Sequence, residues 1–207
     1  MNNHRHTHLA RRPRLGVDIG RVILGTASLG GGADTSFLSG GDDAAMATPA
    51  AEGSFEALAR ITEAFEGQVW LVSKCGPRIQ ARSRRWLSHH RFFERTGVRE
   101  ANLRFCRERH EKRGHAEALE LGFFVDDRAD VLRHLVGLVP RLYLFGHQKP
   151  GTTAPSGATP VLDWTEAERR LLEDLEVLRR NGLHEPHPVV GPVEGLARAR
   201  HRRRRHA

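Results

Sequence analysis

Leu15-Gly16-Val17-Asp18-Ile19-Gly20-Arg21-Val22-Ile23 is the stretch on which the reading of this chain turns. A short apolar run climbs to one aspartate and then breaks at a glycine. That pattern predicts a strand buried on both faces that delivers a carboxylate to its C-terminal end, the edge where open α/β sheets gather their chemistry. A strand ending in aspartate is common, so the weight falls on whether matching groups close later strands.

Outward from that stretch the chain repeats the pattern. Val69 to Val72 form a second apolar run closing on Ser73-Lys74-Cys75-Gly76, and Asn102 to Cys106 a weaker third. Phe123-Phe124-Val125 is a fourth and delivers Asp126-Asp127; Leu142 to Phe145 make a fifth. Helical spacing fills the gaps. Ser54 is placed to cap a helix with Phe55, Leu58, Ala59, Thr62 and Phe65 on one face and Gly67 at its end. Pro77 opens a helix presenting Ile79, Ser83, Trp86, Leu87 and His90. Shorter helices are expected over residues 112–121 and 128–138, and Asp163 with Glu166 forms a capping-box pattern before a last helix striped by Trp164, Ala167, Leu171, Leu175 and Leu178. Residues 25–53, rich in Gly, Ala, Ser and Asp, are expected as a long loop anchored by Phe37 and Leu38, and residues 146–160 as a Gly/Pro/Thr linker. Five strands separated by helices imply an α/β fold, a Rossmann-like parallel sheet flanked by helices.

The net charge of +8 on 207 residues belongs to the ends. Arg5, Arg11, Arg12 and Arg14 precede the first strand, and Arg198, Arg200 and Arg202 to Arg205 close the chain; without those ten, 23 basic residues face 25 acidic ones. The expected division is a basic N-terminal tail over residues 1–13, one α/β domain over 14–182, and a Pro/Gly/Arg-rich disordered tail over 183–207. Nucleic acid is a conceivable partner for the arginine clusters through counterion release. No aromatic platform or recognition motif accompanies them, so a solubilising tail is the simpler reading. No apolar run approaches the roughly 20 residues of a membrane span, so no membrane partner is expected. The start lacks the apolar segment of a signal peptide, and two cysteines, Cys75 and Cys106, make no secreted disulfide framework. A cytoplasmic protein is expected.

The strand ends, taken together, carry chemistry. Asp18, Ser73 and Asp126-Asp127 close three strands, and Lys112, one of three lysines against thirty arginines, opens a helix before the fourth. Three carboxylates with a hydroxyl and an ammonium suit a phosphate held by a cation and Mg²⁺, because carboxylates alone would repel one another. Lys74, Arg107 and Arg109 fall in loops at the same edge, where they would grip a substrate's outer anion or serve as ordinary surface charge. If the second and third strands are neighbours, Cys75 and Cys106 lie at adjacent ends, within disulfide or metal reach; plain reduced thiols are the simpler reading.

This order of motifs resembles the haloacid dehalogenase-like (HAD) superfamily, mostly phosphohydrolases, over roughly residues 14–146. Asp18, followed by Val22, matches the nucleophilic aspartate of the first motif; Ser73 the phosphoryl-binding Ser/Thr of the second; Lys112 the lysine of the third; Asp126 and Asp127 the acidic pair of the fourth. The resemblance implies a Mg²⁺-dependent phosphatase. Asp18 would form an aspartyl-phosphate, and Asp18, the backbone carbonyl of Gly20, Asp126 and Asp127 would hold the metal. It also implies an open site, since no cap-sized insertion separates the first two strands; the phosphorylated substrate would be a bulky small molecule, a macromolecule, or one covered by a partner or by the 25–53 segment.

One departure stands out. Most HAD phosphatases carry a second aspartate two residues after the nucleophile as general acid and base, and here that position is Gly20. Three outcomes are open: a substrate with a good leaving group, a proton donor from elsewhere such as Asp34, Asp42 or Asp43, or a catalytically weak phosphate-binding or regulatory module. A nucleotide or nucleic-acid end phosphatase guided by the arginine tails is a further alternative.

Overall fold

The computed structural model describes residues 12–25 and 35–181. The stretches outside them include Asp34 and most of the two predicted tails. In chain order the elements are β1 (Leu15–Val17), α1 (Thr35–Ser39), α2 (Asp42–Met46), α3 (Ser54–Ala64), β2 (Val69–Lys74), α4 (Pro77–His89), α5 (Phe92–Thr96), a 3₁₀ turn (Glu100–Asn102), β3 (Leu103–Cys106), α6 (Lys112–Ala118), β4 (Phe123–Asp126), α7 (Ala129–Leu135), β5 (Arg141–Phe145), β6 (Ala158–Val161) and α8 (Trp164–Arg180).

All strand pairs are parallel, in the order β3-β2-β1-β4-β5-β6. β1 therefore runs through the middle of the sheet, flanked by β2 and β4, and is buried along its whole length. Alternation along the strands splits the core into two layers. Val17, Leu71, Val125 and Phe145 pack with Phe55, Leu58, Trp86, Phe92 and Leu171 from α3, α4, α5 and α8. Trp70, Val72, Phe124, Leu142 and Leu144 pack with Ala116 of α6 and Leu132 and Leu135 of α7. Gly16 faces that second layer; a Cβ there would stand 2.5 Å from the Phe124 ring and 2.7 Å from Leu121, so only glycine lets Phe124 lie across β1.

The sheet has six strands, not five. The additional strand, β6, begins inside the predicted 146–160 linker, ends one residue past it, and pairs parallel with β5 from Leu142↔Ala158 to Phe145↔Val161. Its sequence, Ala-Thr-Pro-Val, has one buried residue and no alternation to read, and the sheet edge is the place that tolerates Pro160, which has no N–H to give. The predicted 25–53 loop also contains structure, the two five-residue helices α1 and α2. Helices that short carry no periodic signal and depend on outside contacts. Arg82 donates to the Phe37 carbonyl at 2.7 Å, Arg78 to that of Leu38 at 2.8 Å, and Arg82 and Arg85 both bind the Asp42 carboxylate. Of the expected anchor pair only Phe37 is buried; Leu38 is exposed.

Two helix starts differ in kind. α3 is capped by Gly53, in the left-handed region at φ 68°, and not by Ser54, whose buried hydroxyl finds no hydrogen-bond partner among the described residues. α8 begins as predicted: the Asp163 side chain accepts from the Glu166 N–H at 2.9 Å, while the Glu166 carboxylate accepts from Leu162 N–H. Arg14, grouped with the tail charges in the sequence, is tied into the fold through the Leu119 carbonyl at 2.9 Å and Glu120 at 3.1 Å. Among the described residues, no helix is long and apolar enough to cross a membrane.

Candidate metal and phosphate site

The site forms because strand alternation and sheet order agree. Asp18 extends the β1 ladder, its N–H donating to the Val125 carbonyl at 3.0 Å, and has the same side-chain parity as Gly16. Asp126, at the end of β4, has the parity of Phe124. Both carboxylates therefore turn toward the α6 layer, where the first residue of α6 is Lys112.

Lys112 is the hub. Its Nζ donates to Asp18 Oδ1 and to Asp126 Oδ2, each at 2.7 Å, with only 2% of the side chain exposed. Burial pulls the ammonium's pKa down, but the attraction of Asp126 and Asp18 outweighs it and Lys112 is held above its usual range. The loop leading to it is set by Glu111, whose carboxylate accepts the backbone N–H groups of Glu108 and Arg107 and is thereby held below its usual range.

Asp127, the next residue after β4, completes a cluster. Asp18, Asp126 and Asp127 each offer an oxygen within 4.8 Å of the others, and all three are buried. Asp126 Oδ1 accepts from the Arg128 backbone N–H at 2.9 Å, and Asp127 Oδ2 meets Arg21 Nη1 at 3.1 Å. From β5's end, Gln148 donates to the carbonyls of Asp127, Phe145 and Gly146. Burial, with the repulsion of neighbouring carboxylates, pushes Asp126 up to about 7 and Asp127 up to about 6, against the opposing pull of Lys112 and Arg21. Three crowded carboxylates against two cations is an arrangement that a hard divalent cation with oxygen ligands relieves.

The other predicted residues fall around this hub in different ways. Ser73 ends the buried part of β2, two positions past Leu71, which pairs with Val17; its hydroxyl makes no hydrogen bond among the described residues. Gly20 lies beside the nucleophile candidate. A Cβ there would meet only Asp18 Oδ2, at 3.9 Å, and its backbone is not in the left-handed region. Lys74 and Arg107 are exposed at the same sheet edge. Arg109 is not free: it pairs with Asp130 at 3.4 Å, as does Arg128 at 3.0 Å. Asp42 is ion-paired with Arg85 and Arg82, which hold its carboxyl below the usual range.

Cys75 and Cys106 do lie at adjacent strand ends, with Cys75 N–H donating to the Cys106 carbonyl at 3.0 Å, but both are free and buried thiols. Burial pushes each up to about 11, so neither is a ready thiolate at neutral pH.

Sequence reasoning missed Arg21 and Gln148. Arg21 stands in the opening stretch, but its partner is 106 positions later, and nothing in local pattern couples the two. A scan of protein-family models finds no match to this chain, and a search of curated proteins finds no significant match.

Proposed function

We propose that this chain is a divalent-cation-dependent phosphohydrolase of the HAD kind, with Asp18 as its nucleophile. The observation that carries the reading is the buried Lys112 bridge between Asp18 and Asp126, with Asp127 alongside, at the C-terminal ends of adjacent strands. A metal-independent structural core has no use for three buried carboxylates, whose desolvation is costly unless a charge is to be received there.

Asp18 would attack phosphorus through Oδ2, because Lys112 occupies Oδ1. Lys112 holds the carboxylate in one orientation. The unpartnered Ser73 hydroxyl would donate to a phosphoryl oxygen. Asp18, Asp126, Asp127 and the Gly20 carbonyl would hold Mg²⁺, which when bound supplies charge neutralisation to the incoming phosphoryl group. Attack forms an aspartyl-phosphate and releases the leaving group; water then hydrolyses it and restores the Asp18 carboxylate. Exposed Lys74 and Arg107 would meet the outer part of a bulky phosphorylated substrate.

The second reading, a phosphate-binding or regulatory module with weak turnover, is favoured by one observation, Gly20 where a proton donor would stand. Mg²⁺-dependent phosphate release separates the two, measured over aryl, acyl, sugar and nucleotide phosphates with Asp18→Asn as control. Release that disappears in Asp18→Asn supports the enzyme; equal release by both proteins, or none from any substrate, rejects it.

A further inference from the structure

The turn after Asp18 is held in place more firmly than a surface turn requires. Ile23 and Leu24 N–H both donate to the Ile19 carbonyl at 2.9 Å, and Arg21 N–H donates to that of Leu24 at 2.8 Å. Leu24 bridges to Ala50, and Trp164 Nε1 from α8 donates to the Val22 carbonyl at 2.7 Å. Within this frame Arg21 adopts φ 61°, a left-handed conformation that a side chain with a Cβ rarely takes and that persists only where surroundings impose it. The result is a guanidinium aimed across the turn at Asp127.

Its position bears on the empty place left by Gly20. Arg21 is the next residue, and its Nη1 contacts a carboxylate whose oxygen lies within 4.8 Å of Asp18's. A guanidinium has five donors; Asp127 is the one side-chain partner of Arg21 among the described residues, and its side chain is 31% exposed. The neighbouring carboxylates are engaged, Asp126 by Lys112 and Asp127 by Arg21 itself. A guanidinium keeps its protons at neutral pH, so it stabilises a negative oxygen but cannot protonate it.

We propose that Arg21 is a catalytic residue that receives the leaving oxygen as an anion, and that the substrate is a phosphoryl donor with a stable anionic leaving group, an acyl phosphate or a phosphoanhydride. The inference rests on the phosphohydrolase reading above. As the bond from Asp18 to phosphorus forms, the bond from phosphorus to the leaving oxygen breaks, and its electron pair stays on that oxygen. The leaving group departs unprotonated, as carboxylate or phosphate, beside Arg21. Water attacks the aspartyl-phosphate, the Asp18 carboxylate is regenerated, and the water protons end on inorganic phosphate or in solvent. An alkoxide gains too little from a single cation to leave this way, so ordinary phosphate monoesters are poor substrates.

The test uses the full chain with Mg²⁺ and measures kcat/KM for aryl phosphates graded by leaving-group acidity, with acetyl phosphate and pyrophosphate as the two anionic-leaving-group probes. Arg21→Gly removes the guanidinium while suiting the positive φ, Arg21→Lys keeps a charge, and thermal unfolding checks each fold. Removing a donor aimed at developing charge costs on the order of 10²-fold, so Arg21→Gly should fall by about that factor on whichever anionic probe is the better substrate, and Arg21→Lys by less. The dependence on leaving-group basicity should steepen in Arg21→Gly, and in the Gly20→Asp background the Arg21 effect should shrink. A purely structural arginine would lower every substrate by one common factor with an unchanged slope, and that result overturns the inference while leaving Asp18 chemistry standing. Turnover of alkyl phosphates by the wild type as fast as of acetyl phosphate overturns the substrate class. Absence of Asp18-dependent turnover on every substrate overturns this inference and the phosphohydrolase reading together.

Discussion

Replacing Lys112 by methionine keeps most of the apolar stem and removes only the ammonium. The side chain is 2% exposed and both hydrogen bonds are 2.7 Å, so the change strands two carboxylates, Asp18 and Asp126, of which Asp126 is wholly buried. Breaking a buried ion pair from one side costs about 3–5 kcal/mol, a large part of the 5–15 kcal/mol typical of a folded domain. The sign of the pH dependence follows from the carboxylates and not from the lysine. The folded pKa of Lys112 is raised, so its contribution is fully present below its ordinary 10.5 and constant across neutral pH. The folded pKa of Asp126 is also raised, from 3.8 to about 7, so between those values the folded state binds more protons than the unfolded one. Stability therefore rises as pH falls through that window, and more steeply once the ammonium is gone. Urea unfolding followed by circular dichroism in EDTA should show the Lys112→Met deficit near its full size at neutral pH and reduced at mildly acidic pH. A hundredfold excess of Mg²⁺ over the variant's Kd should raise the variant's stability by about 2.7 kcal/mol, offsetting part of the deficit measured against wild type in EDTA. A deficit below about 1 kcal/mol, too small for a broken buried pair, or one indifferent to both pH and Mg²⁺, would refute the account of this cluster.

Three further outcomes are expected. Gly20→Asp should fold normally, since its Cβ meets only Asp18 Oδ2 at 3.9 Å, and should raise kcat/KM for alkyl phosphates by about 10²-fold or more, as general acid catalysis does; steady-state assays with sugar phosphates check it. Gly16→Ala should destabilise by about 1–3 kcal/mol through overpacking, because its methyl would stand 2.5 Å from the Phe124 ring, and denaturant midpoints report it. Tyr143 donates to Asp174, and burial followed by that hydrogen bond pushes its hydroxyl well above its ordinary 10.0. The unfolded chain then loses this proton first as pH rises past that value, so wild-type stability should fall there and the fall should be shallower in Tyr143→Phe.

What the sequence revealed follows from burial. Asp18 and Asp126 are legible because each ends a run with no polar residue, the signature of a strand covered on both faces; Lys112 is legible because it opens a helix before the fourth strand, where the resemblance expects a lysine. Parity then turns both carboxylates to the sheet face where α6 begins with Lys112. The parts that stayed hidden are those decided by tertiary contacts. α1 and α2 exist because α4 supplies three arginines to their carbonyls and to Asp42. β6 has a proline and a single buried residue, and only the exposed edge of β5 makes it a strand. Arg21 has no local signature, since its conformation is set by Leu24, Ala50 and Trp164 and its charge is matched by a residue far along the chain.

The central claim is that the Asp18 carboxylate takes up phosphorus. Rapid acid quench during turnover of acetyl phosphate, followed by mass spectrometry of the peptide containing Asp18, tests it directly. The account predicts a Mg²⁺-dependent mass increase of one phosphoryl group on Asp18, removed by hydroxylamine as an acyl phosphate must be and missing in Asp18→Asn. Phosphate release without any such adduct, or an adduct at another residue that persists in Asp18→Asn, would contradict it.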